Sequence, residues 1–300
     1  MWFYLALSSA LLLGIYDVFK KASLNNNAVL PVLMVSITSS AVMFIPLLLL
    51  SSNKVLTAEH ELFIPDITLN EHLQVLLKSI IVLTSWIFSF FALKHLSITI
   101  VTPIRATGPL WTLLGAIVIF SEQLNPIQWT GIIITLSFFY LFSTTGKTEG
   151  ISFKNNKWFW FIIIATISGA ASGLYDKHLL HKVDRLAVQC WFSIYQSFLM
   201  LPIILLLWWP KRETSTTFKF RWTIPLIGIT LVLADYIYFK AVSQSDALIS
   251  VISAIRRGGV IIAFTFGAIL FKEQNIKKKA FFLTGILIGI ALLIYGSTLS

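Results

Sequence analysis

The chain has 300 residues, 57% of them hydrophobic and only 12% charged, with a net charge of +10. Soluble domains average about 25% charged residues, so this composition excludes an ordinary water-soluble fold and points to an integral membrane protein. The basic excess falls in short stretches between apolar runs, which suits orientation in a bilayer and not nucleic-acid binding.

The first apolar run, near 2–23, has no basic leader and continues into Asp17 and Lys20, so it reads as a retained span. Further spans are predicted near 28–50, 73–94, 98–120, 126–144, 158–179, 186–209, 222–243, 247–271 and 279–297. Each approaches the roughly 20 residues a spanning helix needs. The longest connection, Ser51 to Glu71, is polar and acidic and too short for a domain. The polar segment from Thr145 to Lys157 contains Gly146 and Gly150 and divides the chain into halves, 1–145 and 155–300. Lysine and arginine crowd the connections after the odd-numbered spans, Lys20, Lys21, Lys94, Lys211 and Arg212 among them. The charge rule then puts those connections in the cytoplasm and both termini outside.

The halves repeat. "IRATGPLWTLLGAIVIFSEQ" from Ile104 lies over "IRRGGVIIAFTFGAILFKEQ" from Ile255 without a gap. Arg105 then matches Arg256, Gly108 matches Gly259, and Glu122 matches Glu273. "GIYDVFKK" from Gly14 matches "GLYDKHLL" from Gly173, which pairs Asp17 with Asp176. Five spans is an odd number, so the second copy must be inverted. The expected fold is an all-α membrane protein with ten transmembrane helices in two inverted five-helix repeats, an arrangement used by transporters that alternate access around a midplane site.

With the glutamate-ended fourth and ninth spans, "FSEQLNPIQWTGIII" and "FKEQNIKKKAFFLTGILIG", the chain resembles the drug/metabolite transporter superfamily in its EamA-type branch. The resemblance covers nearly the whole chain. It implies a central cavity lined largely by helices 1, 3, 4, 6, 8 and 9, and leaves the substrate open. "IRRGGVII" also resembles the Lys-Arg pair with which the triose-phosphate translocators of that superfamily grip phosphate, with arginine here in place of lysine.

Arg105, Arg256 and Arg257 fall deep inside spans, where an unpaired guanidinium costs at least a few kcal/mol, about 3 on insertion scales. Guanidinium binds carboxylate and phosphate bidentately, so these three are candidate anion-binding residues. The competing reading pairs them with Asp17, Asp176 and Asp235 in buried braces between helices. For Arg257, Asp235 is a candidate partner. Asp17 and Asp176 are also candidates for proton coupling. Trp86, Trp111 and Tyr236 are candidate cavity rings, with packing or lipid contact as the alternative. Pro103 and Pro109 bracket Arg105 and should loosen the fourth helix there.

No phosphate-binding glycine loop or zinc motif occurs, so neither an enzyme nor a cofactor is expected. The expected function is secondary transport of a small organic anion or zwitterion, such as an amino acid or organic phosphate, in a cell (inner) membrane. The expected partners are that small molecule, the lipid bilayer and protons as candidate coupling ion, with no nucleic acid. Monomer and homodimer both stay open. Two alternatives stand beside this: export of hydrophobic or cationic drugs with structural arginines, and a non-transporting membrane partner or lipid-handling subunit.

Overall fold

In the computed structural model, the described residues are 2–108, 110–111, 114–115, 124–145, 155–180, 182–242, 256, 258–271 and 275–297. Arg257, Pro109, Glu122, Glu273 and most of the linker between the halves lie outside them. The described residues form ten α-helices: α1 (Trp2–Leu24), α2 (Val29–Ser52), α3 (Leu69–His95), α4 (Ile98–Ala106), α5 (Pro126–Thr145), α6 (Lys157–Leu179), α7 (Arg185–Ile203), α8 (Thr223–Val242), α9 (Gly259–Leu270) and α10 (Ile276–Ser297). Among the described residues, five stretches are long and apolar enough to cross a membrane: Val29–Ser52, Leu69–His95, Lys157–Asp176, Arg185–Lys211 and Ile276–Gly296.

Local chemistry sets several helix ends. α3 starts at Leu69, earlier than the expected 73, because Thr68 and Glu71 form a reciprocal capping box. Asp184 caps α7 by accepting from the N–H groups of Leu186 and Ala187. Asn26 ends the first helix with φ of 48°, a left-handed conformation that asparagine tolerates. α4 stops at Ala106, one residue past Arg105, and the chain turns at Thr107, whose hydroxyl donates to Ile104 O at 2.6 Å. Helical backbone resumes at Gly108, so the break beside Arg105 is confined to Thr107, and Pro109 lies outside the described residues.

The packing follows the repeat. α1 runs along α8 while α6 runs along α3; α2 packs on α8 while α7 packs on α3; α4 meets α9 and α5 meets α10. Exchanging each helix for the one five places on maps this set of pairs onto itself. The ends of the helices show the inversion. Lys21 donates to the carbonyls of Leu93 and Leu96 at 2.8 and 2.6 Å, at the close of α3. Trp158, at the start of α6, stacks on His95 at the same end of the bundle, with ring centres 3.8 Å apart. The first repeat's leading helix therefore finishes where the second repeat's leading helix begins.

Among the described residues, the largest core cluster gathers Leu33, Phe90, Ile104, Phe159 and Ile227 from five helices. At the opposite end of the bundle, the α2–α3 loop is pinned to α8 by Glu61 and Lys240, 3.0 Å apart. That hydrogen bond, with the attraction of the ammonium, holds the Glu61 carboxyl below the usual carboxylate range.

Candidate functional site in the central cavity

A cavity of about 250 Å³ lies between α1, α3, α4, α6 and the start of α9. From α1 it receives Leu13, Tyr16, Asp17 and Lys20, spaced i, i+3, i+4, i+7 and so on one helical face. α3 contributes Trp86 between Ser85 and Ser89. α6 contributes a small-residue wall with Gly169 and Gly173. Arg105 enters from α4, and Arg256 from just before α9. The two repeat-equivalent arginines thus line one cavity.

Each arginine has a carboxylate. Arg105 donates to Asp17 Oδ1, and Arg256 donates to Asp235. Asp235 is thus a partner of Arg256; the Arg257–Asp235 contact considered from sequence lies outside the described residues. The Arg256 guanidinium also sits 4.0 Å above the Tyr238 ring, and its buried Nε has no hydrogen-bond acceptor. Arg105 keeps 34% of its side chain exposed, and that face meets the cavity.

Lys20 departs from its expected place. The charge pattern put it in the connection after the first span, but it lies within α1 with 1% of its surface exposed. Its Nζ is 3.6 Å from Asp17 Oδ1, the oxygen that also takes Arg105. The ring centres of Tyr16 and Phe90 are each 4.7 Å from that ammonium. The helical spacing from Leu13 was the signal that marks Lys20 as a cavity residue.

The other candidates separate. Trp86 lines the cavity and meets Phe192 edge-on, with ring centres 5.9 Å apart. Trp111 donates its indole N–H to Thr107 Oγ1 at 3.1 Å and is not among the residues that line the cavity. Tyr236 packs with the cluster that joins α2, α7 and α8. Asp17 lies inside the cavity. Asp176 stands one turn beyond Gly173 along α6 and binds Lys78 of α3, across the boundary between the repeats.

The sequence pattern of the EamA-like transporter family matches residues 1–144 and 156–295. The chain belongs to the EamA-like transporter family. It is a DMT-type transporter, a membrane protein with a small-molecule substrate and a lipid environment. No individual curated protein matches this EamA-like chain.

Proposed function

We propose that this EamA-like protein is a secondary transporter of a small organic anion or zwitterion in the bacterial inner membrane, working by alternating access around the central cavity. The observation that carries the reading is the convergence of Arg105 and Arg256, one from each repeat, on that cavity. Guanidinium groups favour bidentate anions, and a water-poor cleft strengthens such contacts. Amino acids and organic phosphates fit this chemistry.

An asymmetry between the repeats supports the rocking motion. A Cβ at Gly14 of α1 would fall 2.5 Å from Ile262 of α9, and one at Gly259 only 2.6 Å from the Ala10 carbonyl. The repeat-equivalent Gly173 of α6 faces open space, with nothing within 4 Å. At these matched glycines the contact between first and fourth helices is therefore tight on one side of the molecule and open on the other. Alternating access would exchange the two. Asp17, inside the cavity, is the better placed of the two carboxylates for coupling to protons.

The arginine–aspartate pairs favour a second reading, in which the arginines brace the helices and the cargo is hydrophobic or cationic. One experiment separates the two. Purified protein is reconstituted in liposomes, and counterflow is measured for amino acids, organic phosphates and cationic drugs. Exchange of anionic or zwitterionic compounds that is lost in Arg105→Gln supports the first reading. Exchange of cationic compounds alone overturns it.

A further inference from the structure

Among the described residues, the charges that line the cavity and their paired carboxylates do not balance. Lys20 and Arg105 share one carboxylate oxygen of Asp17, while Arg256 pairs with Asp235. Among the described residues at this site, three cations therefore meet two carboxylates. One positive charge is left over, and it sits on the Asp17 side, where Lys20 holds the longer contact, at 3.6 Å. The rings of Tyr16 and Phe90 also lie against the Lys20 ammonium. They favour a cation but accept no conventional hydrogen bond. Inside a bilayer an uncompensated charge is costly, and a bound counter-charge removes that cost.

Resting on the reading of this cavity as the substrate site, we infer that it selects ligands with one net negative charge, and that Lys20 sets this selectivity. The ligand's carboxylate or other anionic oxygens dock between Lys20 and Arg105, beside Asp17. Arg105 supplies a planar fork for two oxygens, and Lys20 supplies a point charge in the cavity lining. The remainder of the ligand lies toward Trp86 and the small-residue wall of α6. The loaded site is then electrically neutral, as a step through a low-dielectric barrier requires.

Removing one lining charge moves the preferred ligand charge by one unit. Lys20→Gln turns the preference toward net-neutral ligands. Asp17→Asn turns it toward doubly negative ones. General loss of stability lowers all binding and does not move this optimum.

The test uses the full chain, purified in detergent and in liposomes, with two matched series. Glutamine, glutamate and N-acetylglutamate run from neutral to singly and doubly negative, as do phenylacetamide, phenylacetate and phenylmalonate. Thermal stabilisation and counterflow are read for each compound. In at least one series, the parent should prefer the singly negative member over the neutral one by about tenfold or more, the scale of a lost charge contact. The optimum should move to the neutral member in Lys20→Gln and to the doubly negative member in Asp17→Asn. If Lys20→Gln does not fold, the Asp17→Asn shift decides alone. An optimum that stays in place in the folded variants overturns the inference and leaves the transport reading standing. A parent that prefers the neutral member does the same, since the Lys20 amine would then be uncharged. Failure of every compound to bind or exchange in the parent overturns the inference together with the substrate-site reading beneath it.

Discussion

Asp17 and Asp176 occupy matching positions in the two repeats and hold different partners. Asp17 takes Arg105 of its own repeat, while Asp176 reaches across to Lys78 of the other. The Asp176–Lys78 pair ties α6 to α3 just past Gly173, so it stands where the cavity would open toward that end. Weakening it should favour opening there. The pair is partly exposed, which limits its worth to about 1 kcal/mol, roughly a fivefold change in an opening equilibrium. Lys78→Gln should therefore raise the rate at which a cysteine placed at Gly173 reacts with a membrane-impermeant thiol reagent by about that factor. Cys190 is buried and contributes little background. An unchanged rate would show that the pair does not close the cavity.

Asp17 and Asp176 also differ in what their loss should do to energy coupling. If Asp17 exchanges a proton for substrate, Asp17→Asn should abolish uptake driven by a pH gradient. Exchange at equal pH should persist for whichever ligand the variant binds. Asp176→Asn should leave gradient-driven uptake in place. Parallel flux measurements in liposomes check both, and loss of exchange together with uptake in Asp17→Asn would argue for a bracing carboxylate.

Arg256 and Asp235 should be coupled in stability. Removing one member of a buried ion pair strands the other, at about 3–5 kcal/mol when burial is complete. Both side chains keep some exposure, 22% and 30%, so about 2 kcal/mol is the better expectation here. Arg256→Gln should lower Tm by several degrees, and Arg256→Gln with Asp235→Asn should recover most of the loss. Additive losses in the thermal melts of the single and double variants would mean that the pair does not act as a unit.

Gly14 and Gly173 offer a test of the rocking motion. A side chain at Gly14 meets Ile262 and the Gly259 carbonyl, so Gly14→Val should reduce folded yield. At Gly173 there is open space, so Gly173→Val should fold normally. If α6 must close on α4 in the transport cycle, Gly173→Val should still cost at least about tenfold in flux. Normal flux in that variant would remove the need for this closure.

Much of the fold was legible in sequence because a membrane forces regularity. Apolar runs of spanning length gave the helix count, and the match of Ile104 onward with Ile255 onward gave the repeat and brought Arg105 and Arg256 to equivalent places. Helix rotation was harder to read. Lipid-facing and protein-facing residues are alike apolar, so little in the one-dimensional pattern says which way Trp111 or Tyr236 turns. Lys20 was missed for a related reason. Counting it as a marker of a cytoplasmic connection hid its place on the stripe with Leu13, Tyr16 and Asp17. The early start of α3 was readable in Thr68 and Glu71, whose spacing is that of a capping box.

The interlocked pairing of the repeats has a consequence for biosynthesis. α1 is made first, yet the helix it lies along, α8, belongs to the second half, and α3 likewise waits for α6. Asp17 and Lys20 enter the bilayer before Arg105 has been translated, and Arg256 follows Asp235 only after most of the chain exists. During translation the early helices must therefore hold polar groups in or beside the lipid without their final neighbours. The first five-helix segment released alone would present the α8-binding face of α1 and the α6-binding face of α3 to whatever surrounds it. The order of synthesis thus leaves these faces and their charged side chains without their final neighbours until the second half has been made.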